Sequence, residues 1–340
     1  MAAVRERPLR HATSDRPALV DPDVQRLLAD VARDDNTTDL GGTMSLNVRL
    51  HAAGLVLRVH RPLLSRGRLV ALQRVRRRLS DMGLAVPAPL AWRGATLFRC
   101  GARWAELEPY VESSRPDPSP DAYARMFGAM GRLHKALAAL DPLDVAVPRP
   151  LIATYGPPTT LLRWLPAAEA AVRRDPEATA VVRRVRALVG RLRAAWVPAV
   201  ALPVQLVHGD IRLGNVRRTA DGTPVYFDFG FLANRPRIHD VAYALSWMIL
   251  GADSRGAAET FRWQSVPALV AGYEAAVGAA LTPLERRALG VYTAAVPLYL
   301  MSVAAFVSDP VAHVRNDARL AFLRIGEWLL AHPDVADGAL

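Results

Sequence analysis

Two short apolar runs, Val204-Gln205-Leu206-Val207 and Pro224-Val225-Tyr226-Phe227, enclose a polar segment that fits only at the mouth of a hairpin. Between them stand His208-Gly209-Asp210-Ile211-Arg212-Leu213-Gly214-Asn215, then Val216 to Thr219 and an Asp221-Gly222 pair. The second run leads directly into Asp228-Phe229-Gly230. Asp-Gly between two strand-like runs is a hairpin signal. Such a hairpin folds the chain back, so that Asn215 at its entry and Asp228 at its exit become close neighbours, with Asp210 projecting from the loop beside them.

Taken singly, an Asp or Asn beside a hairpin is an ordinary turn residue. The His-x-Asp-x-x-x-x-Asn spacing, the hairpin and the Asp-Phe-Gly together argue for chemistry instead. Two carboxylates and an amide are all oxygen donors, a set that suits a hard divalent cation such as Mg²⁺ that bridges phosphates. Phosphoryl transfer needs such a metal and a separate carboxylate that orients the attacking hydroxyl and takes its proton. Asn215 and Asp228 are therefore assigned to the metal and Asp210 to the hydroxyl, while His208 is expected to fix the loop through hydrogen bonds.

The rest of the chain bounds this reading. With 340 residues, 51% of them hydrophobic and 22% charged, there is apolar material for a substantial core and length for two lobes. The formal net charge of +11 comes from scattered arginines, Lys135 being the only lysine, so no nucleic-acid partner is expected. The lone Cys100 excludes an intrachain disulfide and fits a reducing compartment. The first residues, with Arg5, Arg7, Arg10 and Arg16, lack an apolar run and read as a loose tail over 1–22 with no secretory signal. Ala288 to Ser308 is uncharged, but Gly290, Thr293, Pro297, Tyr299 and Ser302 mark it as a core helix; no membrane association and a cytoplasmic location are expected.

Three regions separate by pattern: a strand-rich stretch to about Cys100, a connector near Glu106 to Glu112, and a helix-rich remainder. Leu55, Leu57 and Val59 alternate with Val56, Arg58 and His60, which places Arg58 on the opposite face of a strand. The pair Gly41-Gly42 allows a tight turn that can aim backbone N–H groups at an anion. Arg66 to Met82 reads as a helix ended by Gly83, Pro87 and Pro89. A second helix spans about Asp121 to Leu140, where His134 is taken as a core or capping residue, and a third, arginine-decorated helix spans Asp175 to Val197.

The chain resembles the aminoglycoside phosphotransferases and their relatives, the choline, homoserine and fructosamine kinases, over about Gly41 to Val307. His208-Gly209-Asp210 with Asn215 is similar to that family's catalytic loop, Asp228-Phe229-Gly230 to its metal-binding motif, and Asp240-Val241-Ala242 to the step that opens the next helix. Gly131-Arg132-Leu133-His134 is similar to the end of the helix after the hinge, and Glu108-Pro109-Tyr110-Val111 to the adenine-contacting hinge. The resemblance implies an α+β, bilobal, protein-kinase-like fold: an antiparallel β lobe over 23–107, a hinge over 108–112, and a mostly helical lobe over 113–340. It implies Mg²⁺ and ATP or GTP as cofactors, with Gly41, Gly42, Arg58, Glu108 and Tyr110 binding the nucleotide. Arg58 then takes the place of the phosphate-contacting lysine, and Asp240 would be an N-cap that steadies the catalytic loop. The glutamate that pairs with this cation in the family aligns with Gln73, which can accept a hydrogen bond from Arg58 but cannot form an ion pair. Nucleotide binding is then arranged differently here, or activity is weak.

A small-molecule acceptor is expected in preference to a protein, because about ten residues separate Gly230 from Asp240 and no Ala-Pro-Glu follows. The aromatic residues after Asp240, together with Asp253, lie where the acceptor pocket is implied; Trp247, Trp263, Tyr273, Tyr292 and Tyr299 are read as core. Glu259, Glu274, Glu285 and Asp309 are scattered, so no acidic cluster favours a polycationic aminoglycoside. A natural product such as an antibiotic, a sugar, an amino alcohol or a homoserine-like compound fits as acceptor. Arg212 has three readings, contact with the γ-phosphate, contact with an anionic substrate, or exposure to solvent. A nucleotide-binding pseudokinase and a basic binding module are the non-catalytic alternatives, and the oligomeric state is not legible.

Overall fold

The computed structural model describes residues 16–33, 35–42, 44–62, 64–141, 146–150, 153–252 and 258–337. The expected tail therefore lies outside the described residues up to Asp15, as does Asp253. Two compact units form: one comprises the chain to Ser114 with Leu140–Leu151 and Arg218–Phe227, and the other the remainder.

The first unit is built on a five-stranded sheet in the order β1-β2-β3-β5-β4. Its strands are β1 (Thr37–Asp39), β2 (Leu46–Leu50), β3 (Leu55–Val59), β4 (Phe98–Cys100) and β5 (Arg103–Pro109), and every pairing is antiparallel. The period of two sorts the side chains onto two faces. Leu46, Val48, Leu57, Val59, Ala105 and Leu107 pack with Val24, Leu27 and Leu28 of helix α1 (Pro22–Val31). Arg58, His60, Glu106 and Glu108 take the opposite face, where Glu106 and Glu108 bond side chains of helix α2 (Arg66–Asp81), which Ser65 caps by accepting from the Arg68 N–H.

β5 corrects the sequence reading, since it runs on to Pro109 through residues taken as a connector. Glu106 and Glu108 disguised it. Alternating with Ala105 and Leu107, they are strand residues whose charges are neutralised inside the unit, a fact invisible until their partners are known.

In the second unit, helices α3 (Pro120–Ala138), α4 (Pro158–Val172), α5 (Pro176–Ala195), α6 (Ile238–Ala252), α7 (Val266–Val277), α8 (Pro283–Ser302), α9 (Pro310–Arg315) and α10 (Asp317–Ala331) surround short strands. Strand β6 (Val204–Val207) pairs antiparallel with a strand at Ala233–Pro236, in the register Val204↔Pro236 to Val207↔Ala233. Everything between Val207 and Ala233 is thus an excursion whose two ends are clamped together, and it contains Asp210, Asn215 and Asp228. Within the excursion lie β7 (Val216–Arg218) and β8 (Pro224–Tyr226), the latter in the Arg218–Phe227 stretch that belongs to the first unit, so the Ala233–Pro236 strand is β9. The expected turn is present: Gly222 has φ +86° and donates to Thr219 O, and Thr219 N donates to Thr223 O at 3.1 Å.

The stretch Pro283–Phe306 is long and apolar enough to cross a membrane, yet 94% of its most apolar part is buried inside the unit. It is a core helix, with the hydroxyls of Thr293 and Ser302 bonded to the carbonyls of Leu289 and Leu298. α3 and α7 pack closely at Gly131, where a Cβ would lie 2.5 Å from Tyr273 O and 2.7 Å from Ala276 Cβ, so only glycine permits this approach.

Candidate active site

In the helix-rich unit the β6–β9 clamp delivers His208, Gly209 and Asp210 into the interior. His208 is fully buried, its Nδ1 accepts the Asp210 N–H at 3.2 Å, and its ring meets that of Phe229 at 4.8 Å. The histidine therefore fixes the loop. Gly209 has φ +82°, and a Cβ there would meet Phe231 O at 2.7 Å and Arg235 Nη1 at 2.9 Å, so the loop requires glycine on two counts.

Asp240 is the anchor beneath. Its carboxylate accepts from the N–H groups of His208 and Gly209, both at 2.9 Å, and lies 3.0 Å from His134 Nε2. His134 Nδ1 in turn contacts the Tyr273 hydroxyl at 3.0 Å. Against complete burial, the His134 hydrogen bond and then the nearby His134, His239 and His208 hold the Asp240 carboxyl down at about 2. Asp240 sits in the first turn of α6 and not ahead of it, so the expected N-cap is corrected: the carboxylate caps the N–H groups of His208 and Gly209 instead. Arg235 of β9 braces the loop from the other side, donating to Thr154 Oγ1 at 3.1 Å and Phe231 O at 3.1 Å, while Thr154 donates to Gly209 O. Burial lowers Arg235 to about 10, still charged at neutral pH, and takes His239 down to about 3, so that imidazole is neutral.

On this platform Asp210 is 4% exposed, and its Oδ2 and main-chain carbonyl each accept from Asn215 Nδ2 at 2.8 Å. Those bonds use the amide nitrogen and leave the amide oxygen as the donor atom for a cation. Asp228 stands at φ +59° in the left-handed region, which for a non-glycine residue is strain characteristic of functional sites. Burial pushes the Asp210 carboxyl up to about 6; Arg212 works against that rise and Asp228 adds to it. A buried carboxylate whose ionisation a second carboxylate opposes, beside an amide oxygen, is an all-oxygen set that a divalent cation relieves. The residues present fit Mg²⁺.

In the strand-rich unit, Arg58 Nη2 donates to Glu108 Oε1 at 3.1 Å, and Arg76 of α2 bridges Glu108 Oε2, at 2.7 Å, and Glu106 Oε2. Glu106 also faces His60 Nε2 at 3.2 Å and accepts from Gln73 Nε2 at 2.6 Å; Gln73 is completed by Thr96. Despite full burial, Arg76, then His60 and Arg58, hold Glu106 far below the usual carboxylate range. The expectation for Gln73 is revised accordingly. Arg58 does have an ion-pair partner, supplied by the neighbouring strand, while the helix contributes a cation; the signs are exchanged between helix and strand. The Glu108 carboxylate is thus committed to two guanidiniums.

Gly41 and Gly42, at φ +80° and +111°, make the turn between β1 and β2, where the Gly41 N–H donates to Asp39 Oδ1 at 2.8 Å. Tyr110 donates its N–H to Gly54 O at 2.9 Å, and its ring lies 3.8 Å beneath the Arg49 guanidinium. Three participants escaped the sequence reading: Arg76, Glu106, and Tyr243, whose hydroxyl bonds the Asp210 carboxylate. Their signals were positional. Arg76 is one helical turn from Gln73, Glu106 is two residues from Glu108, and Tyr243 follows Asp240 by three on one face of α6.

The fold is that of the small-molecule kinases. A microcompartment-associated aminopropanol kinase superposes with TM-score 0.69 at 16% identity, over 93% of this chain and 99% of that one. An amicoumacin kinase solved with AMP-PNP, Ca²⁺ and Ami follows at TM-score 0.65 and 13% identity, covering 91% and 93%. A choline kinase from Streptococcus pneumoniae gives 0.57 at 11%, covering 91% and 98%. No curated protein matches the sequence. The chain belongs to the phosphotransferase enzyme family, whose model matches residues 37–287, and it is by class a small-molecule kinase.

Proposed function

We propose that this enzyme moves the γ-phosphate of ATP or GTP to a hydroxyl of a small molecule, with Asp210 as the base and Asn215 and Asp228 as the protein ligands of Mg²⁺. The observation that carries this reading is the Asp210 carboxylate, buried, held by the Asn215 amide and set beside Asp228. A phosphoryl-transfer base works by holding the acceptor hydroxyl in line and receiving its proton. As the hydroxyl oxygen bonds to phosphorus, the bond from phosphorus to the β,γ-bridging oxygen breaks, the nucleoside diphosphate departs with the electron pair, and the proton passes to Asp210. Mg²⁺, when bound, neutralises charge on the phosphates. In the strand-rich unit Arg58, steadied by Glu108, binds phosphate oxygens, and Gly41, Gly42, Glu108 and Tyr110 complete the nucleotide-binding set.

Asn215→Ala and Asp228→Ala test the ligand assignment. The first is expected to raise the Mg²⁺ concentration for half-maximal turnover about tenfold or more, and the second to reduce transfer about 10³-fold at any Mg²⁺ concentration. Unchanged Mg²⁺ dependence in Asn215→Ala would remove that residue from the metal site.

A further inference from the structure

The helix-rich unit contains a cavity of about 480 Å³, bounded by the start of α3, the end of α6, the segment that follows it and the start of α7. None of its described lining residues is among those assigned to the base, the metal or the nucleotide. Its size is that of a small-molecule site, about 300–1,000 Å³ in proteins generally. Met248, Ile249, Phe261 and Leu269 give it apolar walls. Among its polar residues, the Ser119 hydroxyl accepts from the Ala122 N–H and the Ser265 hydroxyl donates to Arg262 O. The Tyr123 hydroxyl and the Arg262 guanidinium have no hydrogen-bond or ion-pair partner among the described residues. Tyr123 is 8% exposed, and a Cβ at Gly251, another lining residue, would lie 3.0 Å from its hydroxyl oxygen, so the phenol is aimed into the cavity. Burial, against the pull of the Arg115 charge, pushes that phenol above its ordinary range, and it stays a protonated donor at neutral pH. Arg262 is exposed and is the one charged residue among the described residues of the lining. A buried polar group without a partner is costly, and native structures retain it where water or a ligand completes it.

We propose that this cavity is a further ligand site, which takes a small amphipathic carboxylate: an alkyl or aryl group against the apolar walls, and a carboxylate that accepts from the Tyr123 hydroxyl and the Arg262 guanidinium. A cavity whose one lining charge is positive, and whose buried polar tip is a donor, selects an anion over a cation. One hydroxyl and one guanidinium match the two oxygens of a carboxylate. Glycine at position 251 leaves the space beside the hydroxyl open, since a side chain there would enter it. The site stands apart from the kinase reading, because its occupancy is measured without turnover.

Calorimetric titration of the full chain with octanoate and with hydrocinnamate, each beside its primary amide, tests this. Each carboxylate is expected to bind at one site per chain, about tenfold or more tighter than its amide. Arg262→Gln should weaken the carboxylates about tenfold and leave the amides as they were, and Tyr123→Phe, which removes only the hydroxyl, should weaken the carboxylates about three- to tenfold. Gly251→Leu, which fills the cavity, should abolish carboxylate binding, while Asp210→Ala should bind the carboxylates as the native chain does. Arg262→Gln changes an exposed side chain and Tyr123→Phe keeps the ring, so the outcome does not hang on how the fold tolerates Gly251→Leu. Absence of saturable binding overturns the proposal, since water alone then completes the hydroxyl. Equal affinity for acids and amides overturns it too, as does native affinity in both Arg262→Gln and Tyr123→Phe, because the probes then settle on apolar surface elsewhere. Loss of binding in Asp210→Ala also overturns it, by placing the probes in the catalytic site.

Discussion

Arg76→Met is expected to destabilise the strand-rich unit by about 3–5 kcal/mol, the cost of stripping one partner from a buried ionic network. The residue is buried and bridges Glu106 and Glu108, themselves 1% and 3% exposed; Arg58 is the remaining guanidinium bonded to those carboxylates, and His60 a further hydrogen-bond partner. The pH dependence should reverse as well. In the native unit the Glu106 carboxyl is depressed below its ordinary 4.5, so its stabilisation is complete above that value and is lost as pH falls below it. Without Arg76, burial dominates and raises the carboxyl, so the variant should gain stability as pH falls toward 5. Urea denaturation at pH 5 and pH 8 measures both effects. Arg76→Met combined with Glu106→Gln should recover part of the loss. A single variant within 1 kcal/mol of the native protein would show that Arg58 and His60 suffice.

Asp210→Asn is expected to abolish turnover, by about 10³-fold or more, while making the metal-free protein more stable. The native carboxyl, raised from 3.8 to about 6 chiefly by burial, contributes stability that is present below 3.8 and lost as pH rises through about 6. At pH 8 the ionised group therefore costs on the order of 2–3 kcal/mol. The amide can still accept from Asn215 Nδ2 but forfeits the attraction of Arg212, so about 1–2 kcal/mol should be recovered, a rise in Tm of roughly 3–6 °C for a unit of this size. Loss of activity with a gain of stability is the signature of a residue kept for chemistry. Activity lost with stability lost would assign Asp210 a structural role.

The linear motif was legible because its parts are near in sequence. Asp210, Asn215 and Asp228 lie on one excursion, and the Asp221-Gly222 turn announces how it folds. Alternation likewise placed Arg58 on the face opposite Leu57 and Val59. What stayed hidden depends on partners distant in sequence. Glu106 and Glu108 looked like connector residues, because their charge balance is completed by Arg76, a buried residue on a helix whose Arg66, Arg74, Arg77 and Arg78 are exposed. Gln73 read as a defect for the same reason: its amide bonds Thr96 and Glu106, and the ion pair of Arg58 comes from β5. Tyr243 was invisible because an aromatic on an apolar helix packs in a core by default, and only the fold shows its hydroxyl meeting Asp210.

The direct test of the central claim is transfer of the γ-phosphate, followed by ³²P from labelled ATP and GTP with Mg²⁺ to a panel of hydroxy acids, sugars, amino alcohols and antibiotics, with Asp210→Ala run in parallel. The account predicts a phosphorylated small molecule formed by the native enzyme and none by the variant. Equal transfer by both proteins, or failure of the native protein to bind either nucleotide, would contradict it.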